Sequence, residues 1–353
     1  MRFHVVSLPH TQVTQEFSAC AYTEKVRKFC NMMTDLGHEV FLYAGEKSEA
    51  KVTAHIPCIS EDLRQFAVGA KPYFEASFDW NLPHWKVFNQ NATKAIKKLA
   101  KKEDFLCVIG GIAHSPIAKS LPELTCVEFG IGYPATFAKY RVWESYAWMH
   151  TCYGAQQGAA SANGCFFDEV IPGYYDPEQF EFSAEKDDYF LYVGRLVDRK
   201  GYKIAQEVCA RHNVPLKLAG SPIPENPGYG TFVGHADPLT RSKLMSRAKA
   251  LFVPTLYLEP FGNVAVEAQA CGTPVICTDW GAMTETVIQG VTGYRCRMFQ
   301  DFLDAVDKVH TLHPKLIRDH AYKNYSMEVI ARKYEYYFER LLTLWGKGWY
   351  EVR

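Results

Sequence analysis

Short apolar runs closed by glycine, proline or polar residues alternate along this chain with longer stretches whose apolar positions recur at helical spacing. RFHVVSL (residues 2–8), HEVFLYA (38–44), FLCVIGG (105–111) and TCVEFGI (125–131) are of the first kind, and residues 21–36 are of the second. Near-continuous apolar runs mark strands buried on both faces, and the helical stretches between them supply the crossovers that parallel pairing requires. The pattern predicts parallel α/β architecture. It restarts at Tyr189 with FLYVGRL and continues through PLKLAGS, GTFVGH, ALFVPTL and PVICTDW. Two Rossmann-like domains follow, residues 1–172 and 173–326, with the boundary near Pro172-Gly173. A last helix is expected from about Met327 to Leu344, within residues 327–353, apolar at Ile330, Tyr334, Tyr337, Phe338 and Leu341. No internal repeat or low-complexity stretch interrupts this scheme.

Composition narrows the function classes. A chain of 353 residues accommodates two domains with sizeable cores. Lysine plus arginine and aspartate plus glutamate number 39 each, so there is no global field for a nucleic acid, and any phosphate site must be built by a few local residues. The 11 cysteines are scattered, without a C-x-x-C pair, and Cys107, Cys126 and Cys277 lie in strand-like runs as small hydrophobes, which fits a reducing cytosol. The start MRFHVVSLPH lacks a signal-peptide core, and no apolar run approaches the length of a membrane span. A cytoplasmic protein without a transmembrane segment is expected, with peripheral membrane contact left open.

The most informative stretch is LYLEPFGNVAVEAQACGTPV (residues 256–275), which sets Glu259 and Glu267 eight residues apart around a Phe-Gly-Asn turn. ALFVPTLY before it reads as a buried strand, Pro260-Phe261-Gly262 as a strand-to-helix turn, and Asn263 as the start of a helix reaching about Cys271. Free backbone N–H groups at that start, around Phe261, Gly262, Asn263 and Val264, would face a phosphate or sugar, while the two carboxylates accept hydrogen bonds from hydroxyls. A second constellation is Gly194-Arg195 with Lys200-Gly201, on the loop leaving the FLYVG strand. Open parallel sheets bind ligands at that edge, and two cations there can reach one diphosphate. Exposed loop charge is the plain alternative for each of these residues taken alone.

With these residues in hand, the segment around Glu259 resembles the signature of family 4 retaining glycosyltransferases of the GT-B class. FLYVGRLVDRKG (190–201), VIPGYYDPEQF (170–180) and GAMTETVIQGVTG (281–293) resemble the same family's basic loop, interdomain linker and late glycine-bracketed helix. The match is good over residues 170–295; the N-terminal half matches mainly through layout and LGHEV (36–40). The resemblance implies two Rossmann-like domains facing across a cleft, with the last helix crossing back to the N-terminal domain. It implies that Arg195 and Lys200 hold the leaving diphosphate and that Glu259 binds hydroxyls of the donor sugar. Backbone N–H groups near Phe261, Gly262, Asn263 and Val264 would bind sugar and diphosphate, and Glu267 the ribose. The nucleobase would lie near Gly220, Ser221 and Gly234, with Gly194 a further donor-binding candidate. The implied donor is a UDP-sugar such as UDP-glucose, the acceptor a glycan or small molecule. No permanently bound cofactor and no essential divalent metal are implied.

The N-terminal half departs from the family twice. Cys20-Ala21 stands where family members carry Gly-Gly, so Thr11, Gln12, Gln15 and Ser18 become the candidate donors of that loop. Gly130 stands where a sugar-contacting histidine is usual, leaving Glu128, His114 and His150 as unranked substitutes. Elsewhere, Lys94, Lys97, Lys98, Lys101 and Lys102 read as a solvated helix face opposite Ile96 and Leu99. His310, His313 and His320 lack metal-ligand spacing. The aromatic stretch at residues 71–85 is either an acceptor wall or core. An epimerase or phosphorylase of the same fold and a non-catalytic nucleotide-binding protein remain alternatives. An NAD-dependent dehydrogenase would need a G-x-G-x-x-G fingerprint that the first strand and PHTQVTQEF do not provide.

Overall fold

The computed structural model describes residues 1–69, 79–155, 165 and 167–344. The strands are β1 (Arg2–Val6), β2 (Glu39–Gly45), β3 (Ala54–Ile59), β4 (Phe105–Val108), β5 (Thr125–Ile131), β6 (Tyr140–Trp143), β7 (Glu169–Val170), β8 (Phe190–Val193), β9 (Leu216–Ala219), β10 (Thr231–Gly234), β11 (Leu251–Val253), β12 (Val275–Thr278) and β13 (Gly293–Cys296). They form two sheets, ordered β3-β2-β1-β4-β5-β6-β7 and β10-β9-β8-β11-β12-β13. Every strand pair is parallel. Each sheet is doubly wound: the strand order reverses direction between β1 and β4 in one, and between β8 and β11 in the other.

The expected apolar runs are strands, and the central ones are buried on both faces, as β4 and β11 are throughout. Strands β3, β6, β7 and β13 have no strong apolar run and sit toward sheet edges. There one face or one edge meets water, and the pattern weakens.

By contact, the chain forms two units. One holds Met1–Glu144, Cys152–Ile171 and residues 331 onward; the other holds Ser145–Thr151 and Pro172–Ile330. The first unit's core includes residues from the chain's last helix, Met327–Leu342. Phe338 of that helix is fully buried, with its ring centroid 4.8 Å from Phe3 and 4.8 Å from Phe105. Tyr334 lies edge-on to Phe29, and the Tyr337 hydroxyl donates to the Phe167 carbonyl at 2.9 Å. In the second unit, apolar residues of β8, β11 and β12 pack on the helix Asn263–Ala270 through Ala265, Val266, Ala268 and Ala270. Those small residues let the helix approach the sheet closely. Among the described residues no helix is long and apolar enough to cross a membrane.

Candidate active site

In the second unit β8 and β11 are neighbours at the point where the strand order reverses, so the loops leaving their carboxyl ends border one crevice. The first loop carries Gly194, Arg195 and Lys200, and the second carries Tyr257, Glu259 and Pro260. A backbone bond from Leu256 N–H to the Arg199 carbonyl, 2.8 Å, ties the two loops together. Lys200 Nζ meets Glu259 Oε2 at 2.7 Å, their side chains only 21% and 12% exposed. Residues 59 positions apart are thus joined in one partly desolvated ion pair. Such a pair is held more firmly than a surface one.

Tyr257 is a member of this cluster that sequence reasoning did not single out. Its hydroxyl donates to the same Glu259 Oε2 at 2.6 Å. Its ring lies 5.1 Å from the Arg199 guanidinium and 4.9 Å from Lys200 Nζ. Burial, and then the Glu259 charge, push the phenol well above its ordinary pKa, so it remains a donor at neutral pH. Glu259 therefore has one oxygen engaged twice. We expect Tyr257→Phe, which frees Glu259 to move while keeping the ring, to lower turnover about fivefold to tenfold with little change in melting temperature. Steady-state rates beside a thermal melt check this.

The turn after Glu259 is built for close backbone approach. Gly262 has φ +83°, and a Cβ there would stand 2.3 Å from the Met283 methyl group. It precedes the helix Asn263–Ala270, whose first N–H groups at Asn263 and Val264 have no intrahelical acceptor. The Phe261 side chain is core: it is 2% exposed, edge-on to Tyr325, and a Cβ on Gly173 would collide with it at 2.4 Å. Glu267 is 6% exposed and pairs with Arg241 of the helix Pro238–Arg247, whose Nε lies 2.9 Å from Oε2. Arg241 was also missed, since nothing in its local sequence marks it as a partner 26 residues from Glu267.

The remaining second-unit candidates line the strand ends for packing reasons as well. A Cβ on Gly220 would sit 1.8 Å from the Gly194 carbonyl oxygen, so this glycine is required by the approach of β8 to β9. Its N–H donates to the Gly234 carbonyl at 2.8 Å, and the Ser221 carbonyl accepts from Leu196 N–H at 3.2 Å. Arg195 is exposed and forms no ion pair among the described residues.

The first unit corrects several expectations. Glu128 is fully buried: Oε1 accepts from the Tyr133 hydroxyl at 3.0 Å, and Oε2 from the N–H groups of Phe137 and Ala138, both at 3.0 Å. It staples a loop and has no free face for a sugar. Thr11 shares a 2.6 Å hydrogen bond with Thr23, and the Gln12 amide is consumed by Lys47 N–H, Ser48 and Glu61, so neither is a free donor. Gln15 and Ser18 border a single short turn, the first exposed and the second half-buried. His150 is exposed, its ring 6.1 Å from that of Tyr146, and it belongs to Ser145–Thr151 of the second unit. The five lysines between 94 and 102 are exposed, while Ile96 is buried; Leu99, expected on the buried face, is 39% exposed because the helix ends there. Residues 71–78 of the aromatic stretch lie outside the described residues, and Trp85 is core.

His114 is core too. It is fully buried, Nδ1 lies 2.9 Å from Asn89 Oδ1, and Trp85 packs on it at 5.2 Å. Burial lowers its pKa to about 3. Between pH 6.5 and 3 the unfolded chain binds a proton that the folded chain refuses, so stability is lost as pH falls through that window. The expected slope is about 1.4 kcal/mol per pH unit. Urea melts from pH 7 to 4 measure it, and His114→Asn is expected to flatten the acid limb. Among the described residues no three His, Cys, Asp or Glu side chains gather to hold a metal ion.

Residues 176–326 match the group 1 glycosyl transferases. The glycogen synthase of Mycobacterium tuberculosis is 48% identical over 147 residues, covering 36% of this chain and 35% of that protein. The D-inositol 3-phosphate glycosyltransferase of Mycolicibacterium smegmatis is 31% identical over 147 residues, covering 37% and 34%. The chain therefore spans about a third of the length of these curated relatives. Sucrose-phosphate synthase from Thermosynechococcus elongatus superposes with a TM-score of 0.70 at 18% identity, over 97% of this chain and 99% of that one. The fold is GT-B, shared with these solved structures, and the similarity to group 1 glycosyl transferases lies in residues 176–326.

Proposed function

We propose that the chain is a retaining glycosyltransferase that moves a hexose from a nucleoside-diphosphate sugar, UDP-glucose or a similar UDP-sugar, to a hydroxyl of a glycan or small-molecule acceptor. The observation that carries this reading is the Lys200–Glu259 pair, at 2.7 Å, on the two loops that border the reversal of strand order in the second sheet. Beside it are the first N–H groups of the helix Asn263–Ala270. The matched relatives are named as a glycogen synthase and an inositol phosphate glycosyltransferase, which supports transfer over other chemistry on the same fold.

The roles follow from charge. As the glycosidic bond breaks, the leaving diphosphate gains negative charge, and Lys200 and Arg195 stabilise that charge more in the transition state than in the ground state. Glu259 holds Lys200 through Oε2 and accepts a donor-sugar hydroxyl through Oε1. Glu267, held by Arg241, accepts from the ribose. The acceptor hydroxyl attacks on the face the phosphate leaves and passes its proton to a phosphate oxygen. No enzyme carboxylate becomes covalently attached, so the paired-carboxylate geometry of glycosidases does not apply.

Thermal shift with UDP, GDP, ADP and their hexose derivatives tests the donor: a ligand at 100 times its Kd adds about 2.7 kcal/mol of stability. NMR of sugar released to water should show the donor's anomeric configuration kept; an inverted initial product overturns the retaining reading. Turnover is expected to stay within about twofold in excess chelator, because two fixed cations already neutralise the departing group.

A further inference from the structure

The turn bearing Glu259 is gripped from three sides. The Glu259 carbonyl accepts from Ala282 N–H at 3.1 Å. The Pro260 carbonyl, one residue on, accepts from Ser145 Oγ at 2.7 Å. Gly262 packs on Met283, which opens the helix Met283–Thr286. Ser145 stands 115 residues before Pro260 in the chain yet is 1% exposed and part of the second unit.

What holds Ser145 there is equally specific. It precedes the helix Tyr146–Gly154, and its Oγ also accepts from Trp148 N–H at 3.1 Å, as a helix cap does. The next two N–H groups, of Tyr146 and Ala147, donate to the two oxygens of one carboxylate, Glu285, at 3.0 and 2.7 Å. A carboxylate at a helix start is favoured by both the free donors and the helix dipole. Glu285 lies in the helix Met283–Thr286, next to the residues that grip Glu259 and Gly262. That helix is in turn fastened to the helix Asn263–Ala270 by the Gln269 amide, which donates to the Thr286 carbonyl at 2.9 Å. The contacts form a closed circuit: Glu285 to the 146–147 amides, Ser145 to Pro260, Glu259 to Ala282, and back to Glu285.

We propose that Ser145 and Glu285 are positioning residues for Glu259, fixing the backbone on both sides of its Cα so that its carboxylate meets the donor sugar in one geometry. The proposal rests on the donor-site reading of Glu259 given above. Buried, the Ser145 hydroxyl must place its proton on an acceptor, and the one it uses is the carbonyl next to Glu259, while Glu285, which caps the same helix, lies three residues from Ala282, whose N–H holds the Glu259 carbonyl. Misplacement of a reacting or binding group by about 1 Å is enough to cost turnover heavily, while binding of the nucleotide, made elsewhere, is untouched.

The test uses the full chain, the hexose nucleotide that the wild type hydrolyses fastest among UDP-, GDP- and ADP-sugars, and the matching free nucleoside diphosphate. Ser145→Ala and Glu285→Gln are compared with Glu259→Gln by steady-state kinetics, calorimetry and thermal melts. Each positioning variant is expected to lower kcat roughly tenfold while the Kd for the free nucleotide stays within about twofold. If Glu259→Gln lowers kcat and both positioning variants keep it, whatever their melting temperatures, the positioning role is wrong. A parallel loss of nucleotide affinity in both would also overturn it, because the effect would then be general unfolding of the site. If Glu259→Gln itself keeps wild-type kcat, it is the donor-site reading that fails. Should Ser145→Ala not fold, Glu285→Gln carries the same comparison.

Discussion

Lys200→Ala is expected to lower turnover at saturating donor on the order of 10²-fold, and Arg195→Ala to a similar extent, both variants keeping the wild-type fold. A factor of 10² is about 2.7 kcal/mol of transition-state stabilisation, a typical magnitude for one charge aimed at a developing anion. For Lys200 a second effect adds to the first. Its removal leaves Glu259, 12% exposed, with Tyr257 as its described partner and with its negative charge turned toward an arriving diphosphate. Arg195 is exposed and forms no ion pair among the described residues, so its loss should act on the leaving group with no such secondary cost. Single-turnover rates with donor in excess separate chemistry from product release. If both variants keep the wild-type rate, the diphosphate assignment is wrong.

The two glutamates should fail in different ways. Glu259→Gln is expected to spare the affinity for UDP and to lower donor turnover by about 10²-fold, since it weakens both the sugar contact and the hold on Lys200. Glu267→Gln removes the charge that Arg241 meets at 2.9 Å, and should weaken UDP binding about tenfold. Titration calorimetry with UDP distinguishes them, and equal losses of affinity in the two variants would sink the division of roles.

Much of this site is legible because its parts are local. The Pro260-Phe261-Gly262 turn and the helix from Asn263 can be read from a strand, a turn and a small-residue helix in succession, with φ +83° at Gly262 accounting for the glycine. That Lys200 meets Glu259 follows one level up, from a doubly wound sheet in which β8 neighbours β11. The partners that tune these groups are not legible. Ser145 reaches Pro260 across 115 residues and Glu285 reaches Tyr146 across 139, and neither has a local pattern that differs from an ordinary cap or surface charge. In the first unit the error ran the other way. Glu128, Thr11 and Gln12 are polar residues beside the two departures from the family pattern, which suggested ligand contact, but burial obliges each to find a partner within the protein. Strand β7, of two residues, lies below the length at which periodicity carries any signal.

The helix Met327–Leu342 has a consequence for how this protein is made. Phe3, Phe29 and Phe105 leave the ribosome well before Tyr334 and Phe338, which cover them. During synthesis the first sheet must wait, its aromatic face unsealed, while the whole second unit emerges and has time to fold. The order of completion is therefore inverted relative to the order of synthesis. A nascent chain stalled before residue 331 should expose that face to chaperones or to aggregation, with the second unit already formed.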